Sequence, residues 1–142
     1  RKIYLELFKD KINVVLIGGK AEQDICKMIL ETAGNRVLDL SGRLSLMESG
    51  AVLSMAKTVV SNDTGMLLMA EALKIPVVGI YGPTARQFGF YPILEKSRWV
   101  EVDIPCRPCT KMGKNTCPKK HWKCMRLITT NMVYDSVLPL IK

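Results

Sequence analysis

No stretch of this 142-residue chain reaches ~18 consecutive apolar side chains, so no membrane-crossing helix is expected. The start, "RKIYLELFKDK", is charged and has no apolar core behind it, so no secretory leader is expected either. An initiator Met is also lacking. The chain opens on what reads as the tail of an amphipathic helix (Ile3, Leu5, Leu7, Phe8), and we expect it to be part of a longer protein. The first glycine-ended run, "GGKAEQD", lacks the third glycine of a dinucleotide fingerprint and the Lys-Ser/Thr ending of a P-loop. Nicotinamide enzymes and P-loop enzymes are both disfavoured. Internal repeats and low-complexity tracts are absent.

What is present suits one globular domain over residues 1–142: 48% of the residues are hydrophobic, enough for a core. The net charge of +8 is unevenly spread. Between Lys96 and Arg126 nine Lys/Arg face two acids, Glu101 and Asp103, while the remainder carries 12 basic and 11 acidic residues. A near-neutral body therefore bears one basic segment. Such a segment suits an anionic partner or is simply a solvated loop.

The pattern along the chain alternates. "INVVLIGG" (Ile12 to Gly19) is a short apolar run ended by glycines, as in a parallel strand buried on both faces. A helix follows, with Ile25, Met28 and Ile29 in phase and Gly34 as its expected C-cap. "RVLDL" is a second strand. Ser45 and Glu48 form a Ser-x-x-Glu capping box, opening a helix expected to run to about Ala56. "KTVVSND" is a third strand, Met66 to Leu73 a short helix, and "IPVVGIYGPT" a fourth strand. "RWVEV" suggests a last strand. "TTNMVYDSVLPLIK" closes the chain as a helix capped by Thr129 or Thr130, with Val133, Val137 and Ile141 on one face. This alternation predicts an α/β fold: a Rossmann-like parallel sheet with helices on both faces.

In such sheets ligands bind at the carboxyl ends of the strands. Four loops fall there: Gly18-Gly19-Lys20, Ser41-Gly42-Arg43, Asp63-Thr64-Gly65 and Gly82-Pro83-Thr84. Each joins a small residue to a polar one. Glycine lets a ligand approach the backbone, and a helix N-terminus offers free N–H groups to phosphate. For any single loop a plain turn or an N-cap explains as much. Four in register favour a nucleotide or nucleotide-sugar crevice.

Cys26 falls on an apolar helical face and reads as a core residue. Cys106, Cys109, Cys117 and Cys124 lie within 19 residues, with His121 between the last two, in an irregular Cys/Lys-rich segment spanning residues 104–126. Cys-x2-Cys is a zinc half-site, but the second pair is spaced by six. Structural zinc, free packed thiols, disulfides formed on purification and an iron–sulfur cluster all stay open.

The stretches "VVLIGGKAEQDI", "LSGRLSLMESGAVLSMAKTVVSNDTG", "ALKIPVVGIYGPT" and "CRPCTKMGKNTCPKKHWKCM" resemble the C-terminal half of the family 9 glycosyltransferases, the ADP-heptose:lipopolysaccharide heptosyltransferases. The strongest part is Ser61 to Gly65, with Gly65 placed 17 residues before Gly82. The resemblance implies the C-terminal half of a GT-B fold, a domain that binds the nucleotide-sugar donor of an inverting enzyme adding heptose to the lipopolysaccharide inner core. It implies that Thr64 and Gly65 meet the diphosphate and that Asp63 takes a sugar hydroxyl or organises the loop. Arg43 and Leu44 match the stretch that meets the base, and Glu22 (or Gln23 on a shifted alignment) the acid that binds the ribose. No cofactor is implied beyond the donor. The general base and acceptor site are expected in an N-terminal half outside this chain, so no catalytic residue is assigned and the chain alone is expected to be inactive. The implied setting is the cytoplasm, with the basic segment facing the inner-core acceptor or the anionic inner membrane.

Three residues depart from the family pattern. Met66 stands for its Pro, Leu68 for its His, and Glu71 for a small residue. A different function class fits the charge alone: a non-catalytic Cys-rich basic module binding nucleic acid. Trp122 is the lone aromatic inside the cysteine cluster, however, where single-strand binding needs several stacking rings.

Overall fold

The computed structural model describes residues 12–33, 36–113 and 116–142. The opening amphipathic segment and the expected C-cap at Gly34 lie outside the described residues. The chain divides into two compact units, Arg1–Val52 and Leu53–Lys142.

In the first unit β1 (Val14–Leu16) and β2 (Val37–Asp39) pair in parallel, with Val15 opposite Leu38. A 3₁₀ turn (Lys20–Glu22) leads into α1 (Gln23–Ala33), which packs on β2 and buries Cys26. The reading of Cys26 as a core residue is thus met. The expected two-sided burial of the first strand is not. Val15 is 42% and Leu38 55% exposed: they stand opposite each other on one face of the strand pair, while the buried Val37 points to the other.

The capping box forms as its spacing predicts and opens α2 (Leu46–Ser54). The Ser45 N–H donates to Glu48 Oε2 at 2.7 Å, and the Glu48 N–H donates to Ser45 Oγ at 3.3 Å. The helix stops two residues short of the expected Ala56.

The second unit holds a three-stranded parallel sheet in the order β3 (Val59–Asn62), β4 (Val77–Ile80), β5 (Arg98–Val100). Here the apolar-run argument works. β4 lies between two neighbours, and Val77 and Val78 are fully buried, worth about 1.5–3 kcal/mol each. The crossover from β3 to β4 is α3 (Gly65–Ala72), which packs on both strands through Leu67 and Ala70. A four-residue helix, α4 (Lys123–Arg126), precedes α5 (Thr130–Ile141). Thr129 caps α5 by accepting from the Met132 N–H at 3.3 Å, and Val133 and Val137 are buried on the face that meets β4 and β5.

The β4–β5 connection contains no α-helix, only a 3₁₀ turn at Arg86–Phe88. Its far end is pinned by Glu71. Glu71 Oε2 accepts from the Ile93 and Leu94 N–H groups at 2.8 and 3.1 Å, and Oε1 accepts from the Ser97 hydroxyl. Ser97 Oγ in turn accepts from the Val77 N–H at 3.0 Å. A buried carboxylate with three donors is satisfied by charge-assisted bonds and needs no cationic partner.

Candidate functional site

The two strand-end loops of the first unit are sewn to each other. The Gly42 N–H donates to Gly18 O at 2.8 Å, and the Gln23 amide donates to Ser41 O at 3.0 Å. Asp39 accepts from the Ser41 N–H at 2.9 Å, and Ser41, its side chain ahead of its main chain, holds the Asp39 carboxyl below the ordinary range. Gly42 sits at φ +67°, and a Cβ there would come 2.6 Å from the Gln23 amide nitrogen. The fold therefore demands this glycine. Glu22, matched to the ribose acid, accepts from the Gly19 N–H at 2.7 Å from an exposed position. Gln23 is committed to Ser41. Arg43 is exposed and Leu44 half-buried just ahead of α2.

The second unit treats its loop differently. Thr64 is the N-cap of α3, yet its side chain makes no cap hydrogen bond to the helix's first N–H groups. Asp63 does not cap either: its Oδ2 accepts from the buried Thr84 hydroxyl at 3.1 Å. The Ser61 hydroxyl donates to Asn62 O, so the Thr64 hydroxyl donates to Ser61 Oγ across 3.0 Å. Gly65 is exposed, its φ lies outside the left-handed region, and a Cβ added to it would meet nothing within 4 Å. Leu68, one turn into the helix, is also exposed. Asp63 and Thr84, residues of two candidate loops, are thus brought together by a direct bond.

The fourth loop is not open to a ligand along its whole length. A Cβ on Gly82 would come 2.5 Å from Met125 Sδ and 3.6 Å from Cys124 Sγ. Gly82 is small because the cysteine segment packs on it. The Cys109 N–H donates to Pro83 O at 3.0 Å, and Arg107 Nη2 donates to Thr84 O at 3.1 Å. Arg107 is one of the nine bases of the basic segment, but its side chain is only 10% exposed and pairs with Glu101 at 2.5 Å. Tyr91, stacked on Tyr81 at 3.7 Å, donates its hydroxyl to the same Glu101 oxygen. Burial pushes the Glu101 carboxyl up, and its bonds to Tyr91 and Arg107 outweigh that and hold it low. None of Tyr91, Glu101 and Arg107 stands out in the sequence. The only hint was an arginine set between two cysteines and followed by proline.

The lysines at 111, 119, 120 and 123 are exposed, as a solvated basic loop requires; Lys114 lies outside the described residues. All five cysteines are free thiols. Among the described residues, no three His, Cys, Asp or Glu side chains are arranged to hold a metal ion. His121 Nδ1 accepts from the Lys123 N–H at 3.0 Å, and its Nε2 faces Cys106 Sγ across 3.8 Å. The main-chain N–H groups of Trp122, then His121, Lys119 and Lys120, hold the Cys117 thiol below its ordinary range, while burial pushes Cys124 up. Among the described residues no helix is long and apolar enough to cross a membrane.

Residues 1–122 match glycosyltransferase family 9 (heptosyltransferase). The chain belongs to that family. Lipooligosaccharide heptosyltransferase 2 of Campylobacter jejuni is 27% identical over 139 residues, covering 95% of this chain and 43% of that protein. Lipopolysaccharide heptosyltransferase 2 of Salmonella typhimurium is 30% identical over 107 residues, covering 70% of this chain and 30% of that protein. The structure of Escherichia coli ADP-heptose lipopolysaccharide heptosyltransferase II superposes with a TM-score of 0.80 at 22% identity, over 99% of this chain and 39% of that one. The α/β, Rossmann-like fold expected of a family 9 glycosyltransferase is what the chain has. It spans about two-fifths of the length of the Campylobacter relative it matches.

Proposed function

We propose that this chain is the donor-binding, C-terminal half of a family 9 heptosyltransferase, one domain of a two-domain GT-B enzyme. It would take an ADP-heptose-like nucleotide sugar for inverting transfer to the lipopolysaccharide inner core. The observation that carries this reading is the start of α3. Its N–H groups have no side-chain cap, and the glycine placed there is one the fold does not need. A helix N-terminus left this way suits a diphosphate. Thr64 would turn its hydroxyl from Ser61 to a phosphate oxygen. Asp63, held by Thr84, would keep the loop shaped and meet the sugar, since a carboxylate beside a diphosphate is unfavourable on charge alone. Glu22, Arg43 and Leu44 would serve ribose and base. The general base and the acceptor site would belong to the other half of the enzyme. The exposed lysines around the cysteines would face the inner-core acceptor or the anionic inner membrane, on the cytoplasmic side. ADP titration of the full reading frame tests the donor site. Thr64→Val should weaken binding by about 1–2 kcal/mol, the worth of a charge-assisted bond. Equal titration curves for the two proteins would reject the assignment.

A second reading concerns Cys106, Cys109, Cys117 and Cys124 as ligands of a structural zinc. What favours it is the set of main-chain N–H groups around Cys117, which stabilise a thiolate. Elemental analysis of protein purified under reducing conditions should then find about one zinc per chain. A content near zero returns the cluster to free thiols and leaves the donor site untouched.

A further inference from the structure

The cysteine segment and the donor loop are joined by a line of bonds through one arginine. Arg107 lies between Cys106 and Cys109. Its guanidinium makes four hydrogen bonds: Nη1 to Val102 O at 2.6 Å, and Nη2 to Glu101 Oε2 at 2.5 Å, Thr84 O at 3.1 Å and Tyr91 Oη at 3.3 Å. Two residues on, the Cys109 N–H takes Pro83 O. Consecutive carbonyls of the Gly82–Thr84 loop are therefore both held by the stretch Arg107–Cys109. The Thr84 hydroxyl then donates to Asp63 Oδ2, immediately before the open end of α3.

We propose that Arg107 is a positioning residue for the donor site: it fixes the main chain at Thr84 and, through the Thr84 hydroxyl, the carboxylate of Asp63. This rests on reading the Asp63–Gly65 turn as the donor loop. The geometry explains why the group is an arginine. A planar fork can serve the carbonyls of Val102 and Thr84 and the Glu101 carboxylate at once, and a lysine ammonium cannot hold that set in one plane. Glu101 and Tyr91 both accept from the fork and are bonded to each other, so together they orient it.

Two measurements on the full-length protein separate this from a purely structural arginine. The first needs no ligand. Hydrogen exchange in Arg107→Met should quicken at residues 61–65 as well as 82–86, and Arg107→Lys should restore part of the protection. The second is ADP-sugar affinity in a double-mutant cycle of Arg107→Met with Thr84→Val. Each single change should weaken binding between about two- and thirtyfold, and the pair should cost little more than either alone. Should Arg107→Met fail to fold, Thr84→Val cuts the same line one step later and should loosen 61–65 by itself. Unchanged exchange at 61–65, or losses that add in the cycle, would overturn the proposal. If the unaltered protein binds no ADP-sugar while exchange at 61–65 still responds to Arg107, the donor reading fails and the mechanical link stands.

Discussion

The two ends of α3 are built on opposite plans. At its C-terminal end Glu71 is 7% exposed and gives its oxygens to three donors of the β4–β5 connection. At its N-terminal end Thr64 and Gly65 are exposed and the helix has no side-chain cap. One end is wholly consumed by the fold. The other begins with no cap hydrogen bond from the Thr64 side chain. The capping box at the start of α2 shows that this chain can cap a helix with a side chain.

The largest effect should come from the closed end. Glu71→Ala removes the acceptor of two main-chain N–H groups and one hydroxyl, and should cost on the order of 3–5 kcal/mol. Urea denaturation measures it, and Glu71→Gln should fall between wild type and Ala. A cost under about 1 kcal/mol would mean that the connection is held by something else.

Glycines give the next test. Gly42→Ala places a Cβ on Gln23 at a positive φ and should destabilise by about 1–3 kcal/mol. Gly65→Ala, in open space at the start of a helix, should leave stability within about 1 kcal/mol or raise it. It should still weaken ADP binding, because the ligand then meets the new methyl group. Thermal unfolding and titration on the same pair decide this. Loss of stability at Gly65 would erase the contrast.

The smallest effect concerns pH. The hydrogen bonds from Ser45, side chain first, hold the exposed Glu48 carboxyl below its ordinary range. A carboxylate with a lowered value supports the fold above its unfolded value, and that support is lost as pH falls through the folded one. Acid unfolding should therefore report on the capped start of α2. Glu48→Gln should flatten the acid limb slightly and leave the start of α3 unaffected.

The alternating elements were legible because each signal is local: an apolar run ended by glycine, a Ser-x-x-Glu box, a threonine before an apolar stripe. The resemblance brought Asp63, Thr64 and Gly65 forward as a group. That Asp63 is bonded to Thr84 rather than capping α3 was not legible, since the two lie 21 residues apart with no periodic relation. Glu71 and Arg107 escaped for the same reason. Each serves main-chain groups 22–23 residues away, and a main-chain partner leaves no mark on the residue type that supplies it. Arg107 read as one more surface charge because composition counts charges without saying which are paired. The exposed Val15 and Leu38 show the converse error: an apolar run states what could be buried, and what packs on each face of the sheet decides what is.

Glu71 grips the N–H groups of Ile93 and Leu94, not their side chains, and Ile93 points almost entirely into solvent. Selection should therefore act on the acid while the residues it holds are free to drift. Among relatives, the identity at this position should travel with the length of the β4–β5 connection. Chains with a small residue there should carry a loop of different length or a helix in its place. An insertion next to Ile93 should be tolerated only where two consecutive N–H groups can still turn toward the carboxylate.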